Sequence, residues 1–368
     1  MQMKSLGGAI KPLLLAVWLG LPAAAPAAPA PDLPAPADRF ALPAPKANRV
    51  RPLIAILVDK DGAQTTDFAM PYGILKESAV ADVRSVSTRD GPIRLTRGLT
   101  IRADETLAAF DARESAGADI VIVPAQAHPD DVALASWLRG QAAKGVVIVS
   151  VCEGARLLAR AGLLDGKRAV THWASLETMA RSYKGTSWER DRRYLQDGAV
   201  ITTAGVTASI PMSLALVEAI GGHQIAVATA ARFGVESWGP AHRTADFAIG
   251  KADRETAAAA SRQPGETTEI PIGDGVDEVS LALQAEAWGR SGRTRVVTTR
   301  IGGAPVRSRH SLVILPDAEP ARGSHVVEPG GLPAIAQLDA TLAEMGRRYG
   351  AGAIRLAILG MEYDPAAP

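Results

Sequence analysis

The sequence predicts an α/β fold with a mostly parallel sheet. Short continuous apolar runs, among them Leu53–Val58 and Val146–Val151, have the length and unbroken hydrophobicity of strands buried on both faces. Helix-like segments alternate with them, the order that lays parallel strands side by side. A composition of 47% hydrophobic and 21% charged residues over 368 positions supports a sizeable core and roughly two domains.

The elements follow in order. Lys4 and Lys11 precede the apolar run Leu13–Leu21, and Ala23–Ala28 offers small-residue cleavage sites, so residues 1–28 read as an export signal. The alternative, an uncleaved anchor, needs roughly 20 apolar residues to span a bilayer, more than this run supplies. A periplasmic or secreted chain with no stable membrane insertion after cleavage is expected. The Ala/Pro-rich residues 29–50 read as a linker. Leu53–Val58 is then a strand, Asp67–Ser78 a helix, and Asp82–Ser87 and Leu99–Arg102 further strands. Asp119–Pro124 is a strand and His128–Ala143 a helix with Pro129 at its first position. His128, Asp130 and Asp131 could ligate a metal, but capping and the helix dipole account for them, and no metal or cofactor is expected. Val146–Val151 is a strand and Ala155–Ala161 a helix.

Cys152, the single cysteine, falls on the turn between those last two elements. A lone thiol in an oxidising compartment has no internal disulfide partner, so it is either an inert buried group or a functional one. A strand-to-helix turn favours function. It is where a nucleophile elbow exposes its side chain, with Gly154 permitting a close approach. The helix N-terminus lowers a thiol pKa, so a partly exposed Cys152 with a depressed pKa is expected.

The segments "SVCEGARLLARAGLLDGKRAVTHW" and "DGAVITTAGVTASIPMSLALVEAIGG" resemble the ThiJ/PfpI superfamily, relatives of the class I glutamine amidotransferase fold. The resemblance covers Pro52–Gly234, within a domain taken as 51–240, and is nearest the branch of isonitrile hydratases and the sensor domains of AraC-type regulators. It implies a doubly wound, flavodoxin-like sheet with Cys152 as nucleophile and His172 closing the strand after the elbow helix. Asp67, in "TDFAMP", matches the acid that leans over the cysteine, where it would manage protons. Asp67 also fits a helix cap, and His172 also fits a satisfied core histidine. The backbone N–H groups of Glu153 and Ala125 are the expected oxyanion donors. Two departures stand out: Pro124 is followed by Ala125-Gln126 where many relatives carry Gly-Gly, and Glu153 replaces a Thr found in some isonitrile-hydrating members. That substrate is therefore not favoured.

The remainder repeats the beginning. Asp61–Asp104 aligns without a gap on Asp274–Asp317, with ten identities in 44 positions. Residues 264–363 thus read as a degenerate, truncated half-copy with a helix at Glu278–Gly289 and a last strand at Ala353–Leu359. Asp67 maps onto Ser280 and no second elbow follows, so this half-copy is expected to stabilise the first domain and to contribute no catalytic group.

Function narrows accordingly. Forty Lys and Arg balance 39 Asp and Glu, without a basic block, and no helix-turn-helix pattern follows Gly234, so no nucleic-acid partner is expected. Relatives commonly dimerise, which makes a homodimer compatible with the family. Two functions stay open. One is a cysteine-dependent hydrolase, hydratase or glyoxalase-like enzyme on a small carbonyl or nitrile-type substrate. The other is a non-catalytic exported sensor or protective protein with a reactive thiol.

Overall fold

The computed structural model describes residues 38–262 and 265–365. The export signal lies outside them. The first half runs β1 (Leu53–Val58), α1 (Thr65–Ser78), β2 (Asp82–Ser87), β3 (Pro92–Arg94), β4 (Thr100–Arg102), β5 (Glu105–Thr106) and α2 (Leu107–Arg113). It continues with β6 (Ile120–Val123), α3 (Val132–Ala143), β7 (Val147–Ser150), α4 (Gly154–Arg160), β8 (Arg168–Ala169) and α5 (Trp173–Ser182). β9 (Ser187–Trp188), β10 (Tyr194–Asp197), β11 (Val200–Thr203), α6 (Ser209–Gly221), α7 (His223–Phe233) and α8 (Lys251–Ser261) complete it. The second half holds β12 (Glu266–Pro271), α9 (Glu278–Arg290), β13 (Thr294–Thr299), β14 (Val306–Arg307), β15 (Val313–Leu315), β16 (His325–Val326), α10 (Ala334–Tyr349) and α11 (Ala351–Met361).

The central sheet has the order β10-β11-β7-β6-β1-β2-β5, parallel except for the β10–β11 pair. Its strands are apolar on both sides because both faces are covered. Ile54, Ile56 and Val58 enter one core with α1 and α6, whereas Leu53, Ala55 and Leu57 enter the other with Leu134, Leu138 and Leu157 of α3 and α4. Chain order reverses between β1 and β6, and the elbow after β7 lies at the carboxyl edge beside that switch point, where open α/β sheets place their ligands.

Two element assignments change. α3 begins at Val132, not near Pro129, because Asp131 closes its first turn by accepting from Leu134 N at 2.9 Å. His128 stays in the loop and bonds Asp59 at 2.9 Å. Residues 353–359, expected as a strand, belong to helix α11, which packs on α9 and α10. A short apolar run fits either state until its neighbours are known. No helix among the described residues is long and apolar enough to cross a membrane.

The halves meet about an internal two-fold. β4 and β15 pair antiparallel with Ile101 opposite its own counterpart, Ile314, in the sheet β14-β15-β4-β3, and α1 packs on α9. Local hydrogen bonds recur at the aligned positions. Asp104 accepts from Ser85 N at 2.8 Å and Asp317 from Thr298 N at 3.0 Å; Leu95 N donates to Leu99 O at 2.8 Å and Ser308 N to Leu312 O at 2.9 Å. Such self-matching contact is the geometry of a two-fold interface, here within one chain.

Candidate functional site

Cys152 has a left-handed backbone, φ 56°, which turns the chain sharply from β7 into α4. Gly154 makes the turn fit: a Cβ there would stand 2.0 Å from Val123 O. Thr203 Oγ1 accepts from Cys152 N at 3.2 Å, and Thr171 Oγ1 donates to Cys152 O at 3.1 Å, so β11 and the segment before α5 hold the elbow from the far side.

The thiol is not the exposed, acidic group that the turn suggests. Cys152 is 5% exposed, and burial, then the carboxylates of Asp67 and Glu153, push its pKa well above the ordinary value. The Glu153 N–H and the Arg290 charge oppose this without reversing it. α4 spans only seven residues, too short a stack of peptide dipoles to offset desolvation.

Asp67 lies in the first turn of α1 and does not cap it; the N-cap is Gln64. Its side chain is fully buried, with Oδ2 accepting from Ala125 N at 3.1 Å and Oδ1 without a partner among the described residues. Burial drives its pKa well above the usual carboxylate range, and Glu286 adds to the shift, which favours the protonated acid, a form able to donate from Oδ1. The bond to Ala125 also corrects the expected oxyanion hole. With Ala125 O accepting from Gln64 N at 2.8 Å, both of its backbone groups are committed to α1. The Glu153 N–H is directed at the Cys152 sulfur, and the Glu153 side chain is exposed and bonded to Ser175.

His172 is buried beside the elbow with both nitrogens in use. Nδ1 accepts from Ala174 N at 3.2 Å, capping α5, and Nε2 donates to Gly360 O at 3.3 Å. Burial lowers its pKa, so the ring is neutral and ties α5 to α11 rather than serving as a free base.

The second half reaches this site, against expectation. Glu286 of α9 accepts from Gln64 Nε2 at 2.6 Å and from Arg290 Nε, and the Arg290 charge acts on Cys152, Asp67 and His172. Glu362, just past α11, accepts from Gly205 N at 2.7 Å and binds His242 at 2.6 Å, closing the "TTAGVTAS" segment. The only sequence signal for Glu286 is a charged residue inside the buried run Val279–Trp288, since such groups are rarely buried unpaired.

Asp59, Asp61 and His128 bring ligand atoms within 4.8 Å of one another, but the carboxylates are matched by His128 and Lys60. A cleft of about 630 Å³, lined by Arg49, Arg51, Lys76 and Arg84, opens at the opposite, amino-terminal ends of β1 and β2. Cys152, Asp67 and His172 are not among the residues that line it.

The DJ-1/PfpI family matches residues 53–219, a span that contains the elbow, Asp67 and His172. An isonitrile hydratase of Pseudomonas putida is 31% identical over 163 residues, 43% of this chain and 68% of that protein. The chain belongs to the DJ-1/PfpI family. The transcriptional regulator CdhR of Pseudomonas aeruginosa, an HTH-type protein, is 33% identical over 151 residues, 40% of this chain and 43% of the regulator. This chain thus spans less than half the length of that relative. A ThiJ/PfpI family protein from Pseudomonas syringae, solved by crystallography, is 26% identical with a TM-score of 0.44, covering 49% of this chain and 74% of its own. The DJ-1/PfpI match ends at residue 219, and Glu286, Arg290 and Glu362 lie beyond it.

Proposed function

We propose that this DJ-1/PfpI protein is an exported, cysteine-dependent hydrolase, hydratase or glyoxalase-like enzyme acting on a small carbonyl or nitrile-type compound. The observation that carries this reading is a cysteine in left-handed conformation at the elbow, electrostatically coupled to a buried carboxyl with a raised pKa whose Oδ1 has no partner among the described residues. Two buried acids in one site titrate as a pair, and losing one proton leaves an anion that the other acid can stabilise. Cys152 Sγ forms a bond to the electrophilic carbon, one π bond of the C=O or C≡N group opens, and the thiol proton reaches the oxygen or nitrogen through Asp67. With a nitrile, water adds to the thioimidate and the thiol leaves, so the net reaction is hydration.

A non-catalytic ligand or redox sensor is the second reading. Its support is the 5% exposure of Cys152 and the commitment of Ala125 N–H to Asp67, which removes one oxyanion donor. Intact-mass measurement after incubation with aldehydes, nitriles, amides and esters separates the two. A covalent Cys152 adduct that turns over to released product supports the enzyme; adducts that accumulate without turnover support the sensor. Export is read from residues 1–28 alone, and a reporter fused to residues 1–45 is expected outside the cytoplasm. Retention of the reporter inside would refute it.

A further inference from the structure

The carboxylate of Glu286 is wholly buried, and its Oε1 meets three side chains: Gln64 Nε2 at 2.6 Å, Arg97 Nη1 at 3.5 Å and Arg290 Nε one turn along α9. This fixes an otherwise flexible arginine. The guanidinium lies along the backbone of Gly360, where a Cβ would stand 2.4 Å from Nη1. Both anchors lead back to the elbow, because Gln64 bonds Ala125, which holds Asp67, while Gly360 O accepts from His172. Arg290 therefore bridges the Asp67 wall and the His172 wall of the site. Nε is used on Glu286, but Nη1 and Nη2 have no hydrogen-bond partner among the described residues.

Two buried oxygens in the same network, Glu286 Oε2 and Asp67 Oδ1, also have no partner among the described residues. Buried polar atoms rarely remain so, and these two beside the open fork of Arg290 mark a place for a ligand. Charge selects its kind. Two guanidinium groups, Arg97 and Arg290, face one carboxylate, Glu286. Glu153 stands at the exposed mouth, bonded to Ser175. Cations thus outnumber anions around Glu286, and the open donors belong to the residue type best shaped to fork onto a carboxylate.

We propose that Arg290 is the specificity residue of the Cys152 site and recognises a carboxylate on the substrate, next to the electrophilic carbon. The inference rests on Cys152 being the nucleophile. It assigns the second half of the chain a part in substrate choice, with Glu286 as the residue that positions Arg290.

The test compares alkylation of Cys152 in the full chain by iodoacetate and by iodoacetamide, which differ in the carboxylate. Wild type is expected to show a higher iodoacetate-to-iodoacetamide rate ratio than glutathione under the same conditions. Arg290→Gln lowers that ratio by on the order of tenfold, the scale of one charge-assisted hydrogen bond, while Arg290→Lys keeps part of it. An Arg290→Gln ratio equal to wild type overturns the proposal. Should that variant fail to fold, protection in wild type decides: propionate, but not propionamide, is expected to slow labelling by iodoacetamide, and no difference between them overturns it. The two readings fail differently. If iodoacetamide never labels folded Cys152, the nucleophile reading and this proposal fall together; if it labels with no carboxylate preference, only the carboxylate assignment falls.

Discussion

At the scale of single residues, the site is a competition between backbone geometry and desolvation. Gly154→Ala would drive a methyl group into Val123 O, and the expected loss lies toward the upper end of the roughly 1–3 kcal/mol typical of overpacking. Chemical denaturation checks it; unchanged stability would mean that the elbow can relax. Asp67 carries a pH signature. A carboxyl held neutral in the fold but ionised in the unfolded chain contributes stability that is full below the ordinary carboxyl range and is lost as pH rises. Asp67→Asn lacks this dependence, so its stability relative to wild type should improve from about pH 4 toward neutrality. Melting temperatures over that range test it, and a constant difference would show that Asp67 is ionised in the fold. The same variant leaves the thiol without the acid it titrates with, so the midpoint of Cys152 labelling should shift in pH. An unchanged midpoint would uncouple the pair. The position of Cys152 on an elbow was legible from one strand-like run and one glycine. Its burial was not, because desolvation depends on everything packed around the turn.

At the scale of elements, α1 and α9 are joined by more than apolar contact. His310, between β14 and β15, bonds Glu278 of α9 through Nδ1 at 2.5 Å and Glu77 of α1 through Nε2 at 2.9 Å. Burial alone would lower the His310 pKa, but the two carboxylates carry it upward, while His310 pulls those of Glu77 and Glu278 down. The signs give opposite edges. The His310 contribution is full below the ordinary histidine range, about 6.5, and fades as pH rises through the raised value; the carboxylate contributions fade in acid. His310→Gln is therefore expected to cost about 3 kcal/mol near pH 6 and less at alkaline pH, as measured by denaturation at both. A cost independent of pH would mean that His310 is neutral. Strands β1, β2, β6 and β7 and helix α9 fall within a residue or two of where hydrophobic runs place them. The start of α3 and the state of 353–359 were misread because a cap and a packing partner decided them.

At the scale of the whole molecule, the second half completes the first. Residues Thr65–Leu75 of α1 are all buried, and α9 supplies much of that cover. Deletion of residues 264–368 should expose this face and remove Glu286 and Arg290 together, giving loss of soluble, cooperatively melting protein. A truncation that stays soluble and melts as wild type does would show that the first domain stands alone. Read alone, the sequence determined what depends on neighbours in the chain: the strand runs, the alternation with helices, the elbow, and the repeat with its aligned turns. Tertiary structure alone decided the company of the reactive groups. Asp67 meets Ala125 across 58 residues, His242 meets Glu362 across 120 and Gln64 meets Glu286 across 222. The physical reason is that charge, dielectric and hydrogen-bond partners at the elbow are sums over space, and no local pattern of residues carries that sum.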